Sequence, residues 1–218
     1  MNAILAIDTS TKEGRVSVLS ENNIIFNEVF TSERSHNSQI FAPLEEALMS
    51  CNHAPSLIVV GTGPGSYTGI RIGIAAGLGL SMALEVPIIG IPSICAAESM
   101  DQNQTCHVIG DARRGSLYIA VVKGHQIISG PELFETVETL YEKFKIKKEK
   151  IFTFDENLSL PEIEKTNPSA QKLARIAAEL SDKEINELRS VPPEPMYLRA
   201  PFITQPKKLG KNVPKLDS

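Results

Sequence analysis

Short apolar runs separated by polar turns dominate the first half of the chain. They cover residues 3–8, 15–20, 23–30, 57–60 and 87–91, and apolar or alternating runs of this length are typical of strands. Apolar residues at helical spacing predict helices over residues 38–50, with an irregularity at Pro43, over 69–84 and over 93–100. Three strands followed by strand–helix units predict an antiparallel meander that continues into parallel crossover units.

The second half repeats the alternation of strands and helices. Strands are predicted over residues 106–110, 116–123, 126–129 and 150–154, and helices over 136–144 and 167–180. A polar connection at 101–104 indicates two lobes, residues 1–102 and 103–205, followed by a flexible tail at 206–218. The predicted fold is α/β: a two-lobed, actin-like (ribonuclease-H-like) arrangement of mixed sheets flanked by helices, by analogy of element order.

The helix predicted at residues 69–84 has almost no polar face. Arg71 is its only charged residue, and three internal glycines cost about 2–3 kcal/mol relative to alanine. A helix that is apolar all round must be covered on both sides. At about 24 Å it is short for a membrane span. We therefore expect one side to face its own sheet and the other to face a second protein chain.

Composition excludes several classes of protein. A net charge of −4 and a pI of about 5.7 give no basic field to hold nucleic acid unaided. Three cysteines without a CxxC spacing argue against a disulfide framework and a structural zinc site. The chain enters a strand pattern at once, without a leader pattern, so a cytoplasmic location is expected.

Two motifs in the first half are candidates for anion binding. Asp8, Thr9 and Ser10 follow the first strand, where they would orient a phosphate-bound cation or else form a turn with neighbouring amides. The glycine-rich turn after the fourth strand would expose its amides to an anion or serve only as a tight turn, and it lacks the P-loop lysine. Its candidate contacts are Gly63, Gly65 and Ser66.

In the second half, Asp111 and Arg113 follow a strand, with Arg114 beside them. They would bind an anion or form a surface ion-pair cluster, and the sequence leaves both open. None of the four histidines has a second histidine or a carboxylate four residues on, so no helical metal pair is predicted. The lysines of the tail predict a solvated end rather than an RNA contact.

Several ordered motifs resemble the TsaB (YeaZ-type) family. They are AIDTS at 6–10, GPGSYTGIRIG at 63–73, AGLGL at 76–80 and DAR at 111–113, with PMYLR at 195–199 similar to the family's C-terminal segment. The resemblance implies the actin-like fold and a non-catalytic partner of the TsaD subunit. With the ATPase TsaE, that complex transfers a threonylcarbamoyl group from its adenylate to the adenosine after the anticodon, in tRNAs that read codons beginning with A.

The resemblance also implies where the partner binds. In the family, the helix matching residues 69–84 packs against the corresponding helix of TsaD. The residues expected at this interface are Gly69, Ile70, Arg71, Gly73, Ile74, Ala76, Gly77, Leu80, Ser81 and Leu84. We expect Gly73→Leu or Gly77→Leu to abolish association while leaving the monomer folded, and a homodimer to form when the partner is absent. Arg71 would meet a carboxylate of the partner or of its own chain.

The related catalytic subunit carries an HxxxH metal pair where this chain has Ser93 and Ala97, neither of which replaces an imidazole ligand. The resemblance therefore implies no catalytic residue and no metal site here. We expect no tightly bound cofactor: ATP and a metal ion would act in partner subunits, and tRNA would be met through the complex, without a membrane. The alternative is a stand-alone nucleotide-binding or phosphoryl-transfer enzyme of the sugar-kinase type, built around Asp8 and the glycine turn.

Overall fold

The first half of the chain forms a five-stranded mixed sheet in a computed structural model that describes residues 3–31, 39–136, 139, 150–158 and 163–199. Its spatial order is β3-β2-β1-β4-β5. The first three strands pair antiparallel, whereas β4 pairs parallel to both β1 and β5. The predicted meander and crossover units are thus confirmed. The strands are β1 (Ala3–Asp8), β2 (Glu13–Ser20), β3 (Asn23–Thr31), β4 (Leu57–Gly61) and β5 (Ile88–Ile91).

Two helices cover one face of this first sheet. Helix α1 (Phe41–Ser50) carries Pro43 in its first turn, and helix α2 (Tyr67–Leu84) follows the glycine-rich turn. Apolar side chains of both helices share a core cluster with the strands. The glycine-rich turn therefore lies at the carboxyl end of β4, between that strand and the first turn of α2.

The second half forms another five-stranded mixed sheet, in the order β10-β9-β6-β7-β8. Strand β8 runs five residues beyond its predicted end, β10 was not predicted, and the helix predicted at 136–144 lies almost entirely outside the described residues. The strands are β6 (Cys106–Asp111), β7 (Leu117–Lys123), β8 (Gln126–Phe134), β9 (Lys150–Thr153) and β10 (Ile163–Lys165).

Helices α3 (Ala170–Glu179) and α4 (Asp182–Arg189) follow the second sheet in the chain but pack against the first. Buried side chains of α3 belong to one cluster with residues of both sheets, Val59 and Val108 among them. The helix predicted at 167–180 is confirmed, whereas α4 was missed. The division into lobes at residue 102 stays a prediction, because the described halves share this core.

The helix predicted at residues 93–100 is wrong. Only a 3₁₀ turn forms, at Ser93–Cys95. Beyond it, the Ala96 carbonyl accepts a hydrogen bond from the Ser169 amide, and Ala97 forms an isolated bridge with Pro168. Backbone groups that would have continued a helix are thus used to dock the segment leading into α3.

Candidate functional site

The inner face of helix α2 is a row of glycines pressed against the first sheet. A Cβ atom on Gly73 would lie 2.3 Å from Thr9 Oγ1, and one on Gly77 would lie 2.5 Å from Val60 Cγ1. These glycines let the helix approach the sheet more closely than any larger residue would permit. Five predicted interface residues face the chain's own core in this way, so their assignment is wrong: Gly69, Ile70, Gly73, Ile74 and Gly77.

The outer face of α2 is exposed and nearly all apolar. Met82 is 81% exposed, and a Cβ on Gly79 would meet nothing within 4 Å. Ala75 is exposed on the same face and, with these two, was missed by the sequence analysis. Of the predicted interface, Arg71 is exposed and four residues are half-buried, so a partner there stays a prediction. These four are Ala76, Leu80, Ser81 and Leu84.

Helix α2 also meets a simple criterion for a membrane span. Among the described residues, it is the one helix that is long and apolar enough to cross a bilayer by length and composition alone. Only five of its 18 residues are buried. Because the inner face packs on the sheet through glycines, the exposed residues lie together along the helix, and we call them the strip: Tyr67, Thr68, Arg71, Ala75, Gly79, Met82 and Ala83.

An aromatic pair holds the one charge on this strip. Arg71 donates a hydrogen bond from Nη1 to the Tyr67 hydroxyl at 2.8 Å, and its guanidinium carbon lies 5.2 Å from the Tyr67 ring centroid. The ring of Tyr197 stacks on Tyr67 with a centroid distance of 5.1 Å. No carboxylate of the described residues pairs with Arg71, so the predicted ion pair within the chain is absent there.

The segment that carries Tyr197 crosses the end of the first sheet. The Met196 amide donates a hydrogen bond to the Thr62 carbonyl at 2.8 Å. Pro193 packs closely on Gly90, since a Cβ atom on Gly90 would lie 3.2 Å from Pro193 Cβ. We call residues 192–199 the strap. Part of the strap is similar to the family's C-terminal segment, but no local pattern in it predicts this contact, because Thr62 lies 134 residues before Met196 in the chain.

A cleft of about 1430 Å³ lies between the glycine-rich turn, the β6–β7 loop and the strap. It brings together five of the predicted anion contacts, from both halves of the chain. Asp8, Thr9 and Gly63 do not line it. The five that do are Ser10, Gly65, Ser66, Asp111 and Arg113.

Asp8 and Thr9 are buried beneath the cleft and bonded within the chain. Asp8 Oδ1 accepts hydrogen bonds from the Ser10 amide at 2.8 Å and from the Ser10 hydroxyl at 2.6 Å. Burial raises the pKa of Asp8, although its bonds with Ser10 oppose the shift. Thr9 Oγ1 donates to the Gly69 carbonyl at 2.7 Å. The bonds of Asp8 Oδ1 and Thr9 Oγ1 are those of the alternative, a local turn, while Asp8 Oδ2 is buried without a hydrogen-bond partner among the described residues. Because neither residue lines the cleft, their assignment as anion contacts stays a prediction.

The amides of the glycine-rich turn are also used inside the chain. The Gly63 amide donates to the Ser93 hydroxyl at 3.0 Å, and the Ser66 amide donates to the Ser10 carbonyl at 2.7 Å. A Cβ on Gly65 would lie 2.1 Å from that same carbonyl oxygen. Glycine at position 65 therefore lets the turn pack directly on the β1–β2 loop. The Gly63 amide is already bonded to Ser93, so it is not available to donate a hydrogen bond to an anion.

The rim of the cleft in the second half carries an ion pair. Asp111 accepts hydrogen bonds from the Arg113 amide at 2.6 Å and from its guanidinium at 3.3 Å. The Arg113 side chain is 79% exposed, and exposed pairs contribute little to stability. The surface ion-pair alternative is thus present, while anion binding by Arg113 stays a prediction.

Ser93 and Ala97, which the family resemblance leads us to expect at the positions of a metal pair, are both buried. The Ser93 hydroxyl accepts from the Gly63 amide, and Ala97 lies against Pro168. Within the ranges that the structure describes, no group of three or more His, Cys, Asp or Glu side chains lies close enough to hold a metal ion.

Comparison with known proteins places this geometry in context. The model of the family described as TsaD, tRNA N6-adenosine threonylcarbamoyltransferase, matches residues 24–200. Over 120 residues, the chain is 36% identical to tRNA threonylcarbamoyladenosine biosynthesis protein TsaB of Bacillus subtilis (strain 168), covering 53% of this chain and 52% of that protein. The protein of the same name from Escherichia coli (strain K12) is 32% identical over 125 residues, covering 54% and 53%. The chain thus spans about half the length of these curated relatives.

A solved structure, YeaZ from Pseudomonas aeruginosa, superposes with a TM-score of 0.68 at 21% identity. The match covers 91% of this chain and 100% of that one. At this identity the likeness concerns the fold, and it confirms the predicted ribonuclease-H-like arrangement of two mixed sheets flanked by helices. The matches do not favour the sugar-kinase alternative.

Proposed function

Because the chain belongs to the family described as TsaD, tRNA N6-adenosine threonylcarbamoyltransferase, and is a TsaB/YeaZ-type protein, we propose that it is a non-catalytic subunit in tRNA threonylcarbamoyladenosine synthesis. It binds a TsaD-type catalytic subunit through the outer face of α2. The relatives' names support the pathway, and the structure supports the mode of binding.

The observation that carries this proposal is the exposure of an apolar helix. Seven of the 18 residues of α2 are exposed and six more are half-buried, and Arg71 is the single charged residue among them. A contiguous apolar strip of this kind marks a protein interface when it is rimmed by polar residues. A TsaD-type subunit, which the family resemblance equips with a matching helix, would cover it.

A non-catalytic role agrees with the positions of Ser93 and Ala97. Both are buried in packing contacts, and neither side chain offers a nitrogen ligand. In this proposal ATP and the metal ion act in partner subunits of the TsaE and TsaD types, tRNA is met through the complex in the cytoplasm, and the chain binds no cofactor tightly. Without its partner, the chain forms a homodimer through the same strip.

The test compares one charge placed on the strip with one placed elsewhere. Isothermal titration of the full chain with a TsaD-type subunit should give binding that Met82→Glu weakens tenfold or more. Ile128→Glu is the matched control, because Ile128 is 58% exposed on β8 of the other sheet, and it should bind like the wild type. Equal binding by both variants would contradict the proposed interface.

A reconstituted reaction tests the role itself. A TsaD-type subunit, a TsaE-type ATPase, threonylcarbamoyl adenylate and tRNA should yield modified adenosine only when this chain is added. Met82→Glu should lower the yield in proportion to its lost binding. Product formation by the chain alone would show that it is an enzyme and would overturn the proposal.

A further inference from the structure

The outer face of α2 carries one unbalanced charge. No acidic residue lies in the first turn of the helix, and the partners of Arg71 among the described residues are the tyrosines Tyr67 and Tyr197, with no carboxylate. A guanidinium has five N–H donors, and for Arg71 one hydrogen bond to an acceptor is found in the part of the chain that the structure describes. A cation that enters an apolar interface must be paired, because burying an unpaired charge is costly.

The guanidinium is also held in place before any partner arrives. Tyr67 accepts its hydrogen bond and lies beneath it, and Tyr197 stacks on Tyr67 from the strap. Tyr67 is 49% exposed and Tyr197 is 42% exposed, so the three side chains form an accessible patch at one end of the strip. Restricting a side chain before binding lowers the entropy lost on association.

We propose that Arg71, positioned by the stacked Tyr67 and Tyr197, binds a carboxylate of the TsaD-type subunit and fixes the register of the two helices. The inference rests on the proposed function and adds the chemistry of one contact to it. A planar guanidinium binds a carboxylate through two parallel hydrogen bonds, which sets orientation as well as affinity. Tyr197 is a positioning residue in this scheme, since it acts through Tyr67.

A second copy of this chain is the competing occupant. The carboxylate nearest on the same helix is at its C-cap, Glu85, about 21 Å along the axis from Arg71. An antiparallel pair of identical helices would be needed to bring the two together. Self-association of the isolated chain is therefore measured beside binding to the partner.

The experiment titrates the TsaD-type subunit with the full chain at 50 mM and 300 mM NaCl. We expect Arg71→Met to raise the Kd about tenfold to a hundredfold and to remove most of the salt dependence. Lys123→Met, an exposed cation on β7, should change neither. Arg71→Lys should recover only part of the affinity, because an ammonium lacks the planar fork.

Tyr197 is tested by a matched pair of variants. Tyr197→Phe keeps a ring on Tyr67 and should bind within twofold of the wild type, whereas Tyr197→Ala should weaken binding about threefold to tenfold. The melting temperature of each variant shows whether the fold is intact. Equal losses from both substitutions would overturn the positioning role.

The outcomes separate the two proposals. If the wild type does not bind the TsaD-type subunit, the proposed function fails together with this inference. If the wild type binds and Arg71→Met binds equally well, only the inference fails. If Arg71→Met weakens sedimentation-detected self-association as strongly as binding to the partner, the contact is not specific to the partner, and the inference is overturned.

Discussion

The two faces of helix α2 have similar composition and opposite surroundings. Gly73 and Gly77 on the inner face have no room for a methyl group, whereas Gly79 on the outer face has open space around it. The inner positions accept only glycine because the β1–β2 loop and β4 lie close to the helix axis there. On the inner side of α2, glycine therefore indicates close packing against the sheet. On the outer side, Gly79 has no such contact among the described residues.

This difference changes the meaning of a substitution. Replacing an inner glycine tests whether the chain folds, because the new side chain collides with the sheet. Replacing an outer residue tests whether a partner binds. The expectation that Gly73→Leu or Gly77→Leu would leave the monomer folded is contradicted by this packing, since both glycines touch the chain's own core.

The largest effect should come from Gly77→Leu compared with Gly79→Leu. The inner variant must displace Val60 and Ile88, at a cost of about 2–3 kcal/mol. For a chain of this size that lowers the melting temperature by about 5–10 °C. The outer variant gains helix propensity and should melt within 2–3 °C of the wild type. Similar melting curves would show that the two faces do not differ.

A smaller effect should come from Thr9→Val, which removes the bond between the β1–β2 loop and the first turn of α2. Its hydroxyl is buried and donates to the Gly69 carbonyl, so unfolding by urea should show a loss of about 1–2 kcal/mol. Thr68→Val, on the exposed side of the same turn, is the control. A loss as large in the control would mean that replacing any threonine hydroxyl by a methyl group in this region, and not the loss of the buried bond, sets the cost.

The smallest effect should come from Ser66→Ala. The Ser66 hydroxyl accepts from the Gly69 amide and caps α2, and a lost cap of this kind costs about 1 kcal/mol. Ser66→Asp keeps an acceptor and should recover most of it in the same urea titration. Because Tyr67 lies in the turn that frays and holds Arg71, Ser66→Ala should also weaken binding to the partner slightly. Failure of Ser66→Asp to recover stability would rule out the cap as the cause.

Sequence patterns located most strands because each is a short apolar run bounded by polar turns. They located α2 as well, but its nearly uniform apolar character gave no period from which to choose an inner face. The inner face is identified by the contacts of Gly73 and Gly77 with Thr9 and Val60. These contacts depend on where β4 and the β1–β2 loop lie in the folded chain. Helix α4 had a readable signal that was overlooked: Ser181 and Glu184 form a capping box.

The candidate site was less predictable than the fold. The sequence left two alternatives for Asp8, an anion site or a turn with neighbouring amides, and the bonds between Asp8 and Ser10 are those of the turn. The failed helix after β5 depends on Ser169, which arrives from more than 70 residues away. The stack of Tyr197 on Tyr67 is equally remote in sequence. Pairings of this kind arise from tertiary folding and leave no local pattern.

The return of α3 to the first sheet has a mechanical consequence. Leu173 and Ala174 of α3 pack among side chains from both sheets. A movement that separates the two halves would therefore break the packing of this shared core. A core shared by both sheets in this way opposes hinge opening between the two halves, so the cleft between them is expected to keep a fixed shape. Severing the polypeptide near residue 102 should therefore yield two fragments that stay together, neither of them stable by itself.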